Sequence, residues 1–334
     1  DPDLIPGIER LEQSFRPFLR HFYIDIYRYI YLITTEANTK MHFSGPIVRP
    51  QTDADSLFIE VTVGCTHNSC RFCNFYEGVP FRMAKLEDIE SDLKEAKGYL
   101  PTVRKIWANG GNPFVMSTEK QIRVWELIKR YYPEARLSTY AIITDFRNKT
   151  VDDIRRIKAS GLDDLVIGIE SGDDEVLEAV DKGYKSDEII EACRKLDEAG
   201  LDYRMIYLGG LAGAGKLEAS AKKSAAIINQ IHPYYMYLTT VSVLPGTPLY
   251  RDMMEGKFKE ATEKERIKEM RELIADVNIP ITVNSENAAS SVNFTVDLPT
   301  EKPLILNELD KFLANFSDDA EKAMSRRRHY MRSV

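Results

Sequence analysis

Three of the chain's four cysteines fall within nine positions, in "VTVGCTHNSCRFCNFY" at residues 61–76. Cys65, Cys70 and Cys73 are spaced C-x4-C-x2-C, and thiolates are soft ligands suited to zinc or to iron–sulfur clusters. A structural zinc site takes four protein ligands, yet no second CxxC pair follows and His67, inside the loop, is the one nearby imidazole. A redox pair needs two thiols and leaves the third without a task. Three thiolates lacking a fourth suit a [4Fe-4S] cluster with one iron open to a substrate or cofactor. The Asn, Arg and His residues interleaved with them argue against core packing. Cys193, in "IIEACRKL", lies on the apolar face of a predicted helix and reads as a buried small hydrophobe.

A second stretch could bind phosphate. "GLAGAGK" (210–216) follows a predicted strand, precedes a predicted helix, and meets the G-x4-G-K spacing with Gly210, Gly215 and Lys216. The Ser or Thr that would hold Mg²⁺ is replaced by Leu217. Such a loop also normally follows the first strand of its domain, not the fifth. The rival it defines is a P-loop-like nucleotide-binding protein whose cysteines form a structural zinc site.

These residues need a scaffold, and the chain alternates strand-like and helix-like segments from residue 57. Strands are expected at 57–63, 104–108, 135–142, 164–170, 201–209 and 234–243. Helices are expected at 86–100, 118–132, 186–199 and 217–231, and one beginning at Thr150 as N-cap and closing at Gly161. Strict alternation demands a parallel sheet with right-handed crossovers. Six such units favour an α/β fold of the (β/α)6 type, a partial TIM barrel, with its site at the C-terminal ends of the strands. The cysteine loop follows the first strand, where that rule puts it.

Residues 1–43 carry Phe15, Phe18, Phe22, Ile26, Tyr29, Ile30 and Ile33 at helical spacing, and read as an N-terminal helical extension. The barrel is expected over 44–260. Residues 261–334 are expected to be a helical and irregular extension packed on it, with Arg326, Arg327 and Arg328 at a frayed, solvated helix end. The chain of 334 residues is 43% hydrophobic, enough for a sizeable core, and its net charge of −7 disfavours a nucleic-acid partner. The opening residues do not read as a signal peptide. The most apolar run, "HFYIDIYRYIYLI" at 21–33, is broken by Asp25 and Arg28, well short of the roughly eighteen residues a membrane span needs. A cytoplasmic chain with no membrane contact is expected.

With the cysteine loop after the first strand of such a barrel, the sequence resembles the radical S-adenosylmethionine (SAM) superfamily. Its commonest spacing is C-x3-C-x2-C, so this loop carries one extra residue. "NGGNP" (109–113), "LSTYA" (137–141), "GIESGDDEVLEAVDKG" (168–183) and "LPGTPLY" (244–250) extend the likeness. Over roughly 44–315 the chain is similar to a little-characterised subgroup described as coproporphyrinogen-oxidase-like or Fe–S oxidoreductases. "NSENAASSVNFTVD" (284–297) matches one of that subgroup's motifs loosely, with Asn287 where a histidine is expected.

The resemblance implies a [4Fe-4S] cluster on Cys65, Cys70 and Cys73 and SAM chelated to the open iron. It places Phe72 against the adenine and the Gly110–Gly111 backbone on the methionine amino group. Asn112 stands beside them, where the superfamily usually has an acidic residue. Ser138 would add a polar contact, Glu170 would bind the ribose hydroxyls and Lys182 the carboxylate. It also implies a radical enzyme acting on a small organic substrate in an anaerobic setting, with flavodoxin or ferredoxin as electron donor. Tyr76, Arg204, Tyr207 and Tyr237, on or beside strand ends, are the candidate substrate-side residues. An RNA-modifying member of the same superfamily is the alternative within that class.

Overall fold

The computed structural model describes residues 41–331. Ten strands form two sheets: β1 (Leu57–Glu60), β2 (Thr62–Val63), β3 (Arg82–Met83), β4 (Lys105–Asn109), β5 (Arg136–Ala141), β6 (Asp164–Glu170), β7 (Asp202–Gly209), β8 (Tyr235–Thr240), β9 (Ile281–Asn284) and β10 (Thr295–Leu298). The main sheet runs β1-β4-β5-β6-β7-β8-β9-β10. Every pairing is parallel except β9 with β10. The helices are α1 (Leu86–Tyr99), α2 (Thr118–Tyr131), α3 (Val151–Ala159), α4 (Asp174–Ala179), α5 (Ser186–Ala199), α6 (Leu217–Ile228), α7 (Pro248–Met254), α8 (Glu263–Asp276), α9 (Lys302–Ala314) and α10 (Asp318–His329).

The period of two along each strand decides which face meets the helices. Ile59, Ile106, Leu137, Ile167, Met205 and Leu238 point outward and are buried in one core with Leu93, Trp125, Ile154, Leu196 and Ile228 of the helices. The opposite face mixes polar residues such as Glu60, Asn109, Asp164 and Arg204 with Trp107 and Val166. The sheet curls about it: β1 and β7 are four strand steps apart, which in a flat sheet is about 19 Å. Yet Arg204 of β7 donates 3.0 Å to Thr52 Oγ1 and pairs with Asp53, both just before β1. β1 and β10 end the strand order unpaired with each other. This is the expected partial barrel.

The segment before β1 is a strap along its inner face. Ser44 N–H donates 2.9 Å to Glu60 of β1, Asn109 Nδ2 donates to Pro46 O, Trp107 Nε1 to Val48 O, and Lys105 Nζ to Thr52 O. The strap thus descends from the C-terminal rim of the strands to their N-terminal foot.

Three expectations change. The first strand is two: it breaks at Val61, and β2 pairs antiparallel with β3, so the cysteine loop is clasped at its base by a hairpin. Residues 261–334 also lengthen the sheet through β9 and β10, which their short, mixed sequences did not announce. Arg328 is not at a solvated helix end. It is buried, bonded to Glu263 of α8 at 2.6 and 2.9 Å and to Ala289 O at 2.8 Å, while Arg327 donates to Ser290 O. The helical extension expected over 1–43 lies outside the described residues except for its last three, which are irregular. No helix among the described residues is long and apolar enough to cross a membrane.

Candidate functional site

The cysteine loop leaves the rim of β1 through Gly64 (φ 77°) and is fixed on three sides. Gly111 N–H donates 3.0 Å to Gly64 O; a Cβ at Gly111 would lie 2.5 Å from that oxygen and 2.9 Å from Cys65 Cα. Only glycine lets the β4 loop approach so closely. Arg71 N–H donates 3.0 Å to Val180 O beyond α4, and His67 bonds Asp181 O. Arg71 pairs with Asp252 of α7, and Leu249 N–H donates 2.8 Å to Arg71 O. His67 is therefore a loop anchor.

All three thiols are free and partly exposed. Burial pushes each pKa up, Cys73 to about 11, against backbone N–H groups of Asn68 and His67 at Cys65 and of Phe75 at Cys73. The Lys182 ammonium acts on all three in the opposite direction. Burial opposes that charge, but Tyr184, Glu170 and Cys70 outweigh it and hold Lys182 protonated. Lys182 Nζ lies 3.2 Å from Glu170 Oε1, both groups buried, and sits over the Phe72 and Tyr184 rings at 5.8 and 5.6 Å. The period of two turns Glu170 to the inner face with Gly168, and β6 slips register between them, where Glu170 takes φ 60°. A Cβ on Gly168 would stand 2.4 Å from Glu170 Oε1. Strained backbone of this sort collects at working sites.

The residues fit a cluster with a bound cosubstrate. Among the described residues no three His, Cys, Asp or Glu side chains are gathered closely enough for a single metal ion. Mononuclear zinc would need sulfurs about 3.8 Å apart, from Zn–S bonds of about 2.3 Å; in a cluster each thiolate takes a different iron. Around the loop, Thr62 Oγ1, Tyr76 OH and Asn109 Oδ1 are buried with no hydrogen-bond partner among the described residues. Burial and the nearby Cys65, Cys73 and Glu60 keep the Tyr76 phenol protonated, as a donor. Buried polar groups are rarely left so, and these border Gly110 and Cys65.

Several expected site residues are elsewhere. Ser138, Arg204 and Tyr237 meet at the foot of the barrel, lining a cavity of about 190 Å³ with Asp53 and Asp164. Ser138 Oγ donates 3.1 Å to Asp164, and Arg204 binds Asp53, Asp164 and the Tyr237 hydroxyl. Ser138 is the third of the six residues of β5, and its hydroxyl is engaged by Asp164 rather than turned to the cysteine loop. Arg204 and Tyr237 line that same cavity and bond each other, away from the cysteines. Tyr207 faces outward and donates 3.0 Å to Glu269 of α8. Asn112 is wholly buried, and its amide is taken up by Thr66 and Asp145. Of the four catalytic candidates only Tyr76 borders the cysteines. Sequence reasoning missed Glu60, Thr62, Asn109 and Tyr184; the strand period could have turned Glu60 and Asn109 inward.

The glycine loop is not a phosphate cradle. Gly210 N–H donates 2.8 Å to Glu269, Gly215 N–H 2.8 Å to Glu265, and Ala214 N–H 2.8 Å to Lys259 O. Two of the chain's own carboxylates and one main-chain carbonyl occupy these donors. Glu269 is fully enclosed, and burial pushes its carboxyl up to about 7 despite those donors.

Residues 59–213 match the radical SAM superfamily. The chain is 26% identical over 233 residues, 68% of its length, to the threonylcarbamoyladenosine tRNA methylthiotransferase MtaB of Thermotoga maritima, covering 52% of that protein. It is 22% identical over 218 residues, 63% of its length, to the heme chaperone HemW of Bacillus subtilis, covering 56% of it. The chain spans about half the length of the curated relatives it matches. Among solved structures, the radical SAM methyltransferase TsrM of Kitasatospora setae, holding cobalamin and a [4Fe-4S] cluster, superposes with a TM-score of 0.50. The identity is 13%, over 64% of this chain and 43% of that one, a likeness of fold. Members of the matched family are enzymes that bind a [4Fe-4S] cluster and SAM. The matched segment, residues 59–213, holds the cysteine loop and is a stretch similar to the radical SAM superfamily.

Proposed function

We propose that Cys65, Cys70 and Cys73 carry a [4Fe-4S] cluster and that this chain cleaves SAM reductively to act on a small organic substrate. The observation that carries the reading is the loop itself: three free thiols facing a buried Lys182–Glu170 pair and, among the described residues, three polar atoms without a partner. When bound, the cofactors supply a 5′-deoxyadenosyl radical, which removes a hydrogen atom from the substrate. The chain's residues bind and exclude water. Lys182 presents positive charge to a carboxylate, and Glu170 presents acceptors to hydroxyls. Phe72 offers a ring face, and the Gly110–Gly111 backbone allows close approach. Tyr76, protonated and buried, donates toward the substrate side. A flavodoxin- or ferredoxin-type protein supplies the electron, and the setting is the cytoplasm.

The test is anaerobic reconstitution followed by dithionite reduction with SAM. The expected result is iron and sulfide in equal amounts, with methionine and 5′-deoxyadenosine formed. Cys70→Ala should abolish both, and Cys193→Ala neither. Stoichiometric zinc without iron or sulfide would end the reading.

A second reading, an RNA substrate, is favoured by the likeness to tRNA-modifying relatives. Against it stand the net charge of −7 and the burial of Arg328 in an ion pair, which removes part of the chain's most basic run from the surface. Filter binding of bulk tRNA across a salt series separates the two, since phosphate contacts give a steep salt dependence.

A further inference from the structure

At its Cys65 end the cysteine loop is also held by one side-chain amide. Asn112 Oδ1 accepts the Thr66 N–H at 3.1 Å, next in sequence to Cys65. Its Nδ2 donates 2.7 Å to Thr66 Oγ1 and 2.9 Å to Asp145 Oδ1. All of that side chain's hydrogens are engaged. Asp145, on the turn Ile143–Phe146 after β5, accepts the Ile142 N–H on its other oxygen at 3.0 Å. Asn112 and Asp145 are 0% and 5% exposed, so water does not substitute for either.

Two main-chain donors fix the polarity of this row. Thr66 N–H can only donate, so Asn112 must turn its oxygen there and its NH2 toward Asp145. Ile142 N–H can only donate, so whatever stands at 145 turns an oxygen to it. Between these ends the order must be acceptor, donor, acceptor, acceptor, as Asn112 and Asp145 supply it. We propose that Asp145 is a positioning residue: acting through Asn112, it orients the Thr66 peptide and with it the Cys65 end of the loop.

The row predicts an unusual substitution pattern. In Asp145→Asn the new amide must face Ile142 with its oxygen, setting NH2 against the NH2 of Asn112. In Asn112→Asp two carboxyl groups confront each other across the 2.9 Å contact, and they either repel or must take up an extra proton that the native row does not carry. In the exchange Asn112→Asp with Asp145→Asn every bond returns: position 112 accepts from Thr66 N–H and from the Thr66 hydroxyl, and position 145 donates to it. Side-chain volume barely changes, so a general packing role would not distinguish the exchange from the single variants.

The first measurement needs no cofactor. Amide hydrogen exchange of Thr66 in the apo chain should rise about tenfold in each single variant, the loss of roughly one buried hydrogen bond, and return to wild type in the exchange variant. The second rests on the cluster assignment above: iron loss to a chelator should be about tenfold faster in each single variant, with an altered EPR spectrum of the reduced cluster, and should recover in the exchange. Wild-type chain that takes up no iron would sink the cluster reading and leave the exchange measurement to decide this one. An exchange variant no better than the singles, or Asp145→Asn with wild-type protection at Thr66, would overturn it.

Discussion

Glu269→Gln tests whether the glycine loop is closed by a buried, protonatable carboxyl. Burial raises this carboxyl from 4.5 to about 7, roughly 2.5 pH units, or about 3 kcal/mol at 1.36 kcal/mol per unit. Because the folded value lies above the unfolded one, the contribution is fully present below about pH 4.5. It is lost as pH rises through about 7. Wild type should therefore lose about 3 kcal/mol between those limits that Glu269→Gln does not lose. Gln keeps an oxygen for the Gly210 N–H, so the variant should fold. Urea unfolding of the apo chains at several pH values reads the difference directly, with the slopes m compared to guard against a change in the unfolded state. The two stability curves running parallel from pH 5 to 8 would show that Glu269 does not titrate in that range. The Gly210 N–H would still be taken by Glu269, but the enclosure of its carboxyl would have no effect on stability in that range.

Lys182→Met should destabilise the apo chain by about 3–5 kcal/mol, because Glu170 is left buried without its counter-ion. Adding Glu170→Gln should recover most of that loss in urea unfolding, and a double variant no more stable than the single would contradict the burial of the pair. Arg328→Met should cost a similar amount through Glu263 and raise deuterium uptake across 285–291. Unchanged uptake there would mean that α10 does not hold that loop.

Local pattern carried much of the fold. β6 and α5 have the bounds their hydrophobic periods predicted, and Thr150 caps α3 by accepting from Asp153 N–H at 3.1 Å. The cysteine loop was legible because its spacing is chemical and local. What failed was depth along a strand. Ser138, Arg204 and Tyr237 were read as rim residues, and nothing in "LSTYA" or "YRMIYLG" says how far each lies from the rim. Tyr207 failed differently: alternation puts it on the same face as Met205, with the helices. β9 and β10 were missed because four residues alternating beside polar turns carry too weak a period. Arg328 looked solvated because its partner, Glu263, is 65 positions away, a separation no local pattern reveals.

The strap also bears on how this domain can be handled or exchanged. The family match begins at residue 59, yet Pro46, Val48 and Thr52 supply the carbonyls that accept from Asn109, Trp107 and Lys105, and Asp53 supplies a counter-ion to Arg204. A fragment trimmed to the matched residues would strand an indole and an amide inside its own lumen and leave Arg204 with Asp164 as its remaining counter-ion. Transplanting the barrel into a member of the superfamily would therefore require carrying residues 44–53 with it. The unit that folds and can be inherited intact is longer than the one that is recognised.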